Sequence, residues 1–570
     1  MRTANFYLVI LMTFFISCSN PVKESKSDIY NFSFDKYNSY LSTEGNWQFG
    51  GCYMGMLNHD TINVKEGYAS GKIEVQSPQH FKEMPYYVFQ KVPLPGEFNK
   101  INISFWMKTD LLAESNFTVV VQDQDETTVN HQKLPLSRSK DWKLVNTQLS
   151  VRGGKAIFLK FDVKPEGVLW LDDMEITVEG KGYYEYLDEM IGLQSEQETV
   201  KSESIKEFPS EIGNIIEDIG DSRIIGLGES SHGVEEMQEA KNEMVKALIE
   251  QGNCNLVMFE LPDLFMLKMN DYVLGKTTEG FPQKTPQVGF FGLTVKNKEL
   301  FDWIREYNLK NKTKVSVAGM DFSLKWRELV EKKIKEYKEG SCYKGLWHHS
   351  SKLYPDSLYN YIKNNQKKLE AEAGKSNYRQ LLEYSQGYNQ ALNVLSVQLY
   401  PQIRDSIMAN NVINLVEKNL KKGEKGVVYG HLSHINRLRT SNSDFVSLGN
   451  RLAKHFGDQY FAIGILVGEG EVQGMPGHVS GDNKTNIQEL SSPHPLSIEK
   501  YCMDQSISPF YSNINDIPSL GDQMLMYRFV GGQPRENQFF PGNIFQRLDG
   551  IIWLPKGSPL KLLPYFNEFM

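Results

Sequence analysis

The apolar residues of this chain change their period near position 180, and no single uninterrupted architecture accommodates both patterns. From about Tyr30 to Glu179 the pattern is short and alternating, as in Ile101-Asn102-Ile103-Ser104-Phe105-Trp106-Met107, Phe117-Thr118-Val119-Val120-Val121 and Ala156-Ile157-Phe158-Leu159-Lys160-Phe161. Pro93-Leu94-Pro95-Gly96 and Gly153-Gly154 punctuate it. A side-chain period of two, with turns at even spacing, predicts an antiparallel sandwich. Beyond about residue 212, apolar strand-like runs alternate with long amphipathic stretches, the pattern of a parallel sheet with crossover helices. A chain of 570 residues also exceeds what one core usually holds. The expected fold is therefore α/β, a mostly parallel sheet with flanking helices and a helical insertion, preceded by an all-β sandwich domain. The expected boundaries are a sandwich at 30–180, a linker with helical turns at 181–212, and the α/β domain at 213–570. The Lys/Glu-rich stretch Arg327–Glu339 reads as a solvated helix opening an insertion that reaches about Leu420.

The formal charge of −8 argues against general affinity for nucleic acid or anionic lipid, both of which need a basic surface. The N-terminus reads as a targeting segment. Arg2 supplies a positive start, Phe6–Ile16 is apolar but too short for a comfortable membrane span, and Ser17-Cys18 follows. This resembles a bacterial lipoprotein signal at 1–17, with Cys18 lipidated and 18–29 as a polar tether. Phe15 and Ile16 are looser than that pattern, and an ordinary cleaved signal peptide is the alternative. The expected location is the bacterial cell envelope, with a lipid anchor as the sole membrane contact. Cys52, Cys254, Cys342 and Cys502 make no CxxC pair and set no disulfide or metal framework.

The first half closes with Val168-Leu169-Trp170-Leu171-Asp172-Asp173-Met174-Glu175-Ile176. This resembles the last strand of jelly-roll, galactose-binding-like modules. The resemblance implies two readings, a carbohydrate-binding module or a spacer, and both stay open.

Four apolar runs of the second half end in a polar residue of catalytic type. Arg223–Gly228 leads into Glu229 and His232, and Leu256–Phe259 into Glu260. Val315–Met320 leads into Asp321, and Gly426–Gly430 into His431, with His434 three residues on. Open α/β sheets bind ligands beyond the carboxyl ends of their strands, so these residues would meet in one cleft. On a helical wheel of about 100° per residue, Val234, Met237, Met244, Val245 and Leu248 form one apolar stripe, and Lys241 falls in its middle. A lysine facing a core needs a carboxylate, here Glu229 or Glu260, unless it snorkels to the surface.

With those residues in place, Ile224-Ile225-Gly226-Leu227-Gly228-Glu229-Ser230-Ser231-His232-Gly233, followed by Glu260, resembles the erythromycin esterase family. Arg404-Asp405-Ser406-Ile407-Met408-Ala409-Asn410-Asn411 and Tyr429-Gly430-His431-Leu432-Ser433-His434 resemble later motifs of that family, and Tyr460–Gly470 and Leu548–Trp553 its closing strands. The resemblance covers roughly 205–570. It implies metal-independent hydrolysis without a cofactor, with His232 as general base for a water. Glu229 and Glu260 would be its orienting and water-positioning carboxylates, and His431 with Lys241 the electrostatic stabilisers. Arg404, His434 and Asp321 are expected at the substrate. The family usually has Arg at the position of Lys241 and Asn at that of Leu432, which puts fine positioning in doubt.

The chemistry is coherent: imidazole titrates near working pH, and a carboxylate beside it fixes the ring and stabilises the imidazolium. The expected substrate is a small-molecule ester or lactone, with macrolides one candidate. Three alternatives stand beside it. A serine hydrolase would need a GxSxG elbow, which Ser230 and Ser231 lack. His431 and His434, with His232 and Glu260, are also metal-ligand types. The chain could instead be a carbohydrate-binding surface lipoprotein whose α/β domain is non-catalytic or metal-dependent.

Overall fold

The computed structural model describes residues 30–563, apart from 39–42, 45–46, 52–54, 76–85, 111–114, 164–166, 196–205, 278–279, 282–291, 293, 324, 338–341, 353–355, 397–399, 439–445, 475–485, 518–523 and 532–537. The expected signal, tether and Cys18 lie outside the described residues, as does Cys52. Among the described residues no helix is long and apolar enough to cross a membrane.

The first half is a sandwich of a six-stranded and a five-stranded antiparallel sheet. The six-stranded sheet runs Lys143–Ser150, Lys100–Asp110, Val168–Val178, Ser70–Val75, Gly55–Asp60, with Lys181–Gly182 added to Val168–Val178. The other runs Gln48–Gly51, Tyr86–Pro93, Ala156–Val163, Ser115–Gln122, Thr128–Leu136. Alternation decides the packing: Ile101, Ile103, Phe105 and Met107 face inward, and Phe105 meets Phe117 and Phe161 edge-on at 4.8 and 5.2 Å.

The expected linker is more structured than its polar composition suggests. Tyr183–Ser195 is a helix whose Tyr183, Tyr186 and Leu187 are buried in the sandwich core. Lys206–Glu207 already pairs with Phe510–Asn513 in the second domain's sheet, so that sheet begins inside the expected linker.

The second half is built on a nine-stranded sheet. Its order is Lys206–Glu207, Phe510–Asn513, Gly550–Gly557, Tyr460–Gly474, Ile224–Glu229, Lys425–His431, Cys254–Pro262, Ser316–Asp321. Pairing is parallel from Gly550–Gly557 across to Ser316–Asp321. It is antiparallel at Phe510–Asn513, at Lys206–Glu207, and where Asn486–Leu490 joins Tyr460–Gly474. The parallel strands read as continuous apolar runs because both faces are covered. Ile224–Glu229 is buried at every position and is flanked by strands that come much later in the chain. All four runs singled out in the sequence lie in this parallel region, with their polar residues at the carboxyl ends. The insertion comprises the helices Trp326–Lys335, Tyr343–Ser350, Ser357–Asn364, Gln366–Ser396 and Tyr400–Asn419. Its own core holds Trp326, Leu346, Ile362, Leu369 and Leu381.

A separate hairpin, Leu525–Arg528 paired with Phe539–Gly542, lies between the two halves. Leu525 and Tyr527 join one core of the α/β domain, whereas Met526 and Phe539 join the sandwich core. The strand's period of two divides the hairpin between the domains.

Candidate active site

Three short-range devices bring the site together. A β-carbon at Gly228 would lie 2.4 Å from the Ile435 side chain, so glycine lets the turn after His431 press on the Glu229 strand. Gly233, with φ +82°, turns the chain from His232 into the helix Glu235–Gln251, and a β-carbon there would lie 2.0 Å from the Gln473 carbonyl. A register shift between Phe259 and Pro262 re-aims the strand at Glu260.

The first charge system runs through Glu229. Lys241, 2 % exposed, donates to its Oε2, and His232 Nδ1 lies 2.9 Å from its Oε1. The Lys241 ammonium also sits 3.8 Å from the Tyr429 ring centroid. The helical wheel thus placed Lys241 correctly, and the partner is Glu229. Burial pushes the Glu229 carboxyl up, but Lys241 and then His232 outweigh it and hold the carboxyl at about 2. An ionised Glu229 accepts from Nδ1–H and fixes the His232 tautomer with Nε2 as its basic nitrogen.

The second charge system is larger. Arg404 donates from Nε and Nη2 to Asp321 Oδ2 at 3.0 and 2.8 Å, and from Nη2 to Glu260 Oε1 at 2.9 Å. His434 lies between two carboxylates, Nδ1 2.6 Å from Asp405 Oδ1 and Nε2 3.1 Å from Glu260 Oε1. Burial disfavours the charged ring, but Glu260 and then Asp405 outweigh it, and the His434 pKa rises to about 10. Glu260 itself is held well below the usual carboxylate range: burial opposes this, and His434 and Arg404 prevail. Arg404 is raised above its ordinary value: burial would lower it, and Asp321 and Glu260 prevail.

His431 sits between the two systems, its ring centroid 4.5 Å from that of His232. The Ser433 amide donates to its Nδ1 at 3.2 Å, so Nε2 carries the proton and donates to the Val530 carbonyl at 3.1 Å. Burial, helped by the charge of His232, drives the His431 pKa down to about 3.

The structure gathers every residue singled out in the α/β sequence, but it redistributes their expected partners. Glu260 bonds His434, Arg404 and the His431 amide at 2.9 Å rather than orienting His232. His431 is neutral and both ring nitrogens are engaged, so it supplies no cation for a developing oxyanion. Lys241 is sequestered on Glu229 and acts through it. His434, Arg404 and Asp321, expected at the substrate, form the second ion cluster, and the imidazole held towards its charged form is His434. Ser231 Oγ donates to the His232 carbonyl at 3.1 Å and Ser230 is fully buried, so neither hydroxyl is bonded to an imidazole as a serine nucleophile would be.

Two contributors escaped the sequence reading. Asp405 stood inside a quoted motif, but on a long helix nothing marks it as a partner of His434. Val530 acts through its backbone: its carbonyl also accepts from the His232 amide at 3.0 Å, and its amide donates to Ser230 at 2.8 Å. A backbone role has no side-chain signature.

The sequence profile of the erythromycin esterase family matches residues 249–557, which takes in Glu260, Asp321, Arg404, His431 and His434 and begins after the Glu229–His232 turn. A relative, erythromycin esterase type II of Escherichia coli, is 25 % identical over 398 residues, 60 % of this chain and 91 % of the relative. Among solved structures, a Bacillus cereus protein aligns with 63 % of this chain and 97 % of its own, at 20 % identity and a TM-score of 0.52. A succinoglycan biosynthesis protein aligns with 63 % of this chain and 93 % of its own, at 18 % identity and a TM-score of 0.50. These two share the fold. With the family profile matched over more than half its length, the chain belongs to the erythromycin esterase family and is a hydrolase of the esterase class.

Proposed function

We propose that the protein hydrolyses a carboxylic ester or lactone with a water activated by His232. The observation that carries this is the Lys241–Glu229–His232 relay, in which a buried, ionised carboxylate holds one ring nitrogen and leaves Nε2 as the base. Water adds to the ester carbonyl as its proton passes to Nε2. The tetrahedral intermediate then breaks the C–O bond to the leaving oxygen, which takes the proton back from His232. The products are a carboxylic acid and an alcohol, joined in one molecule if the substrate is a lactone. Glu229 stabilises the imidazolium throughout. Arg404, on the helix Tyr400–Asn419, with His434, on the short helix Leu432–Ile435, takes the oxyanion-stabilising role first expected of His431 and Lys241.

The family and the Escherichia coli relative make a macrolide lactone one candidate substrate. Mass spectrometry of a macrolide panel tests it: gain of one water by a macrolide supports the narrower reading, and no gain with any of them removes it. The envelope location is proposed from the sequence alone. Metabolic labelling with a fatty acid should mark the wild type and not Cys18→Ala, and an unlabelled wild type overturns the lipid anchor.

A further inference from the structure

We propose that the N-terminal sandwich is a working part of the catalytic site, and that Glu126 is a positioning residue for the two facing histidines. The link is the hairpin between the domains. Its strand Leu525–Arg528 leads straight to Phe529 and Val530. The Val530 carbonyl accepts from the His232 amide and from His431 Nε2, and the Phe529 ring meets His431 edge-on at 5.1 Å. One carbonyl therefore ties the His232 backbone to the His431 ring.

The sandwich holds that hairpin from two sides. Met526 and Phe539 are buried in the sandwich core together with Leu496. At the hairpin's other end, the sandwich turn Asp123–Thr127 reaches into the α/β domain, with Glu126 at φ +58° and 4 % exposed. Its carboxylate accepts from Arg547 and from the Asn543 amide at 3.2 Å, and lies 3.6 Å from Lys91. Gln124 O accepts from Asn543 Nδ2 at 2.8 Å, and Asp125 Oδ1 from Gln546 Nε2 at 3.0 Å. Asn543 follows the hairpin directly, and the Arg547 guanidinium lies 5.5 Å from the ring of Tyr527, on the strand that leads to Val530. The Arg547 carbonyl accepts from the Arg437 amide, three residues beyond His434. Glu126 thus joins the base of the hairpin to the segment that follows the histidine pair. A buried carboxylate with two cationic partners is costly to disturb, which suits it to fixing one docking geometry. Bistable or loose seating would move reacting groups by an ångström, enough for large losses in rate.

The test uses the full chain and rests on His232 as base, so it carries a readout independent of turnover. Glu126→Ala and Gln546→Ala are compared with wild type, with Lys181→Ala on the sandwich surface as control. Steady-state ester hydrolysis is measured beside the ring Nε2–H resonance of His431 in protein carrying isotope-labelled histidine, assigned by its loss in His431→Asn. Glu126→Ala should lower kcat about tenfold or more with KM changed less than about twofold, and Glu126→Gln, which keeps an acceptor for Asn543, should recover part of it. The His431 resonance should shift or exchange faster in Glu126→Ala and remain unchanged in Lys181→Ala. Should Glu126→Ala not fold, Gln546→Ala, which removes the side-chain bond to Asp125 across the domains, is judged by the same two criteria. A folded interface variant with wild-type kcat and an unmoved His431 resonance overturns the proposal. A moved resonance in a protein without esterase activity would keep the coupling and remove the function reading instead.

Discussion

Replacing Lys241 with methionine would leave the Glu229 carboxylate buried with no cation against it. Breaking a buried pair in this way costs about 3–5 kcal/mol, so Lys241→Met should lose stability of that order in urea unfolding. Lys241→Arg restores the family's usual residue and keeps the charge, but the larger fork must fit beside the Tyr429 ring; it should retain most stability and show its effect in kcat. His434 gives a pH signature. Its folded pKa is raised from 6.5 to about 10, so its contribution is full below pH 6.5 and is lost as pH rises towards 10. The stability difference between wild type and His434→Gln should shrink over that window; a difference that grew would contradict the ion-pair reading. At this scale the sequence was most legible where signals are local. Glu229, His232 and Lys241 follow from one motif and one helical wheel. The neutrality of His431 does not, because it comes from burial and from neighbours distant in sequence.

The turn from strand into helix after His232 is the element on which the site depends most. Gly233→Ala would force an L-residue into φ +82° with its β-carbon against the Gln473 carbonyl. We expect a loss of about 1–3 kcal/mol in unfolding measurements and a lower kcat, since the same turn aims His232. The parallel strands were legible as apolar runs capped by polar residues, and the structure brings all four capping groups into one cluster. The antiparallel strands Lys206–Glu207 and Phe510–Asn513 were not, because each is too short to show a period. The shift at Glu260 was also hidden, since a bulge is defined by its partner strand and not by its own sequence.

The two halves of the molecule are separable in the sequence as two periodicities, yet they share a core. Leu496, Met526 and Phe539 are buried against the sandwich, and the helix Tyr183–Ser195 packs there too. A shortened chain spanning 181–570 would expose these groups as an apolar patch. We expect it to aggregate, whereas the full chain should unfold in one cooperative calorimetric transition; two well-separated transitions would contradict a shared core. Composition could not reveal this, because Met526 and Phe539 lie far beyond the sandwich's own sequence. Water activation by His232 is tested by hydrolysis of a nitrophenyl acyl ester in heavy-oxygen water by wild type and by His232→Ala. We expect the label to enter the acid product and the variant to be slower by about a thousandfold, within the range for loss of a general base. Equal rates in the two proteins would contradict it.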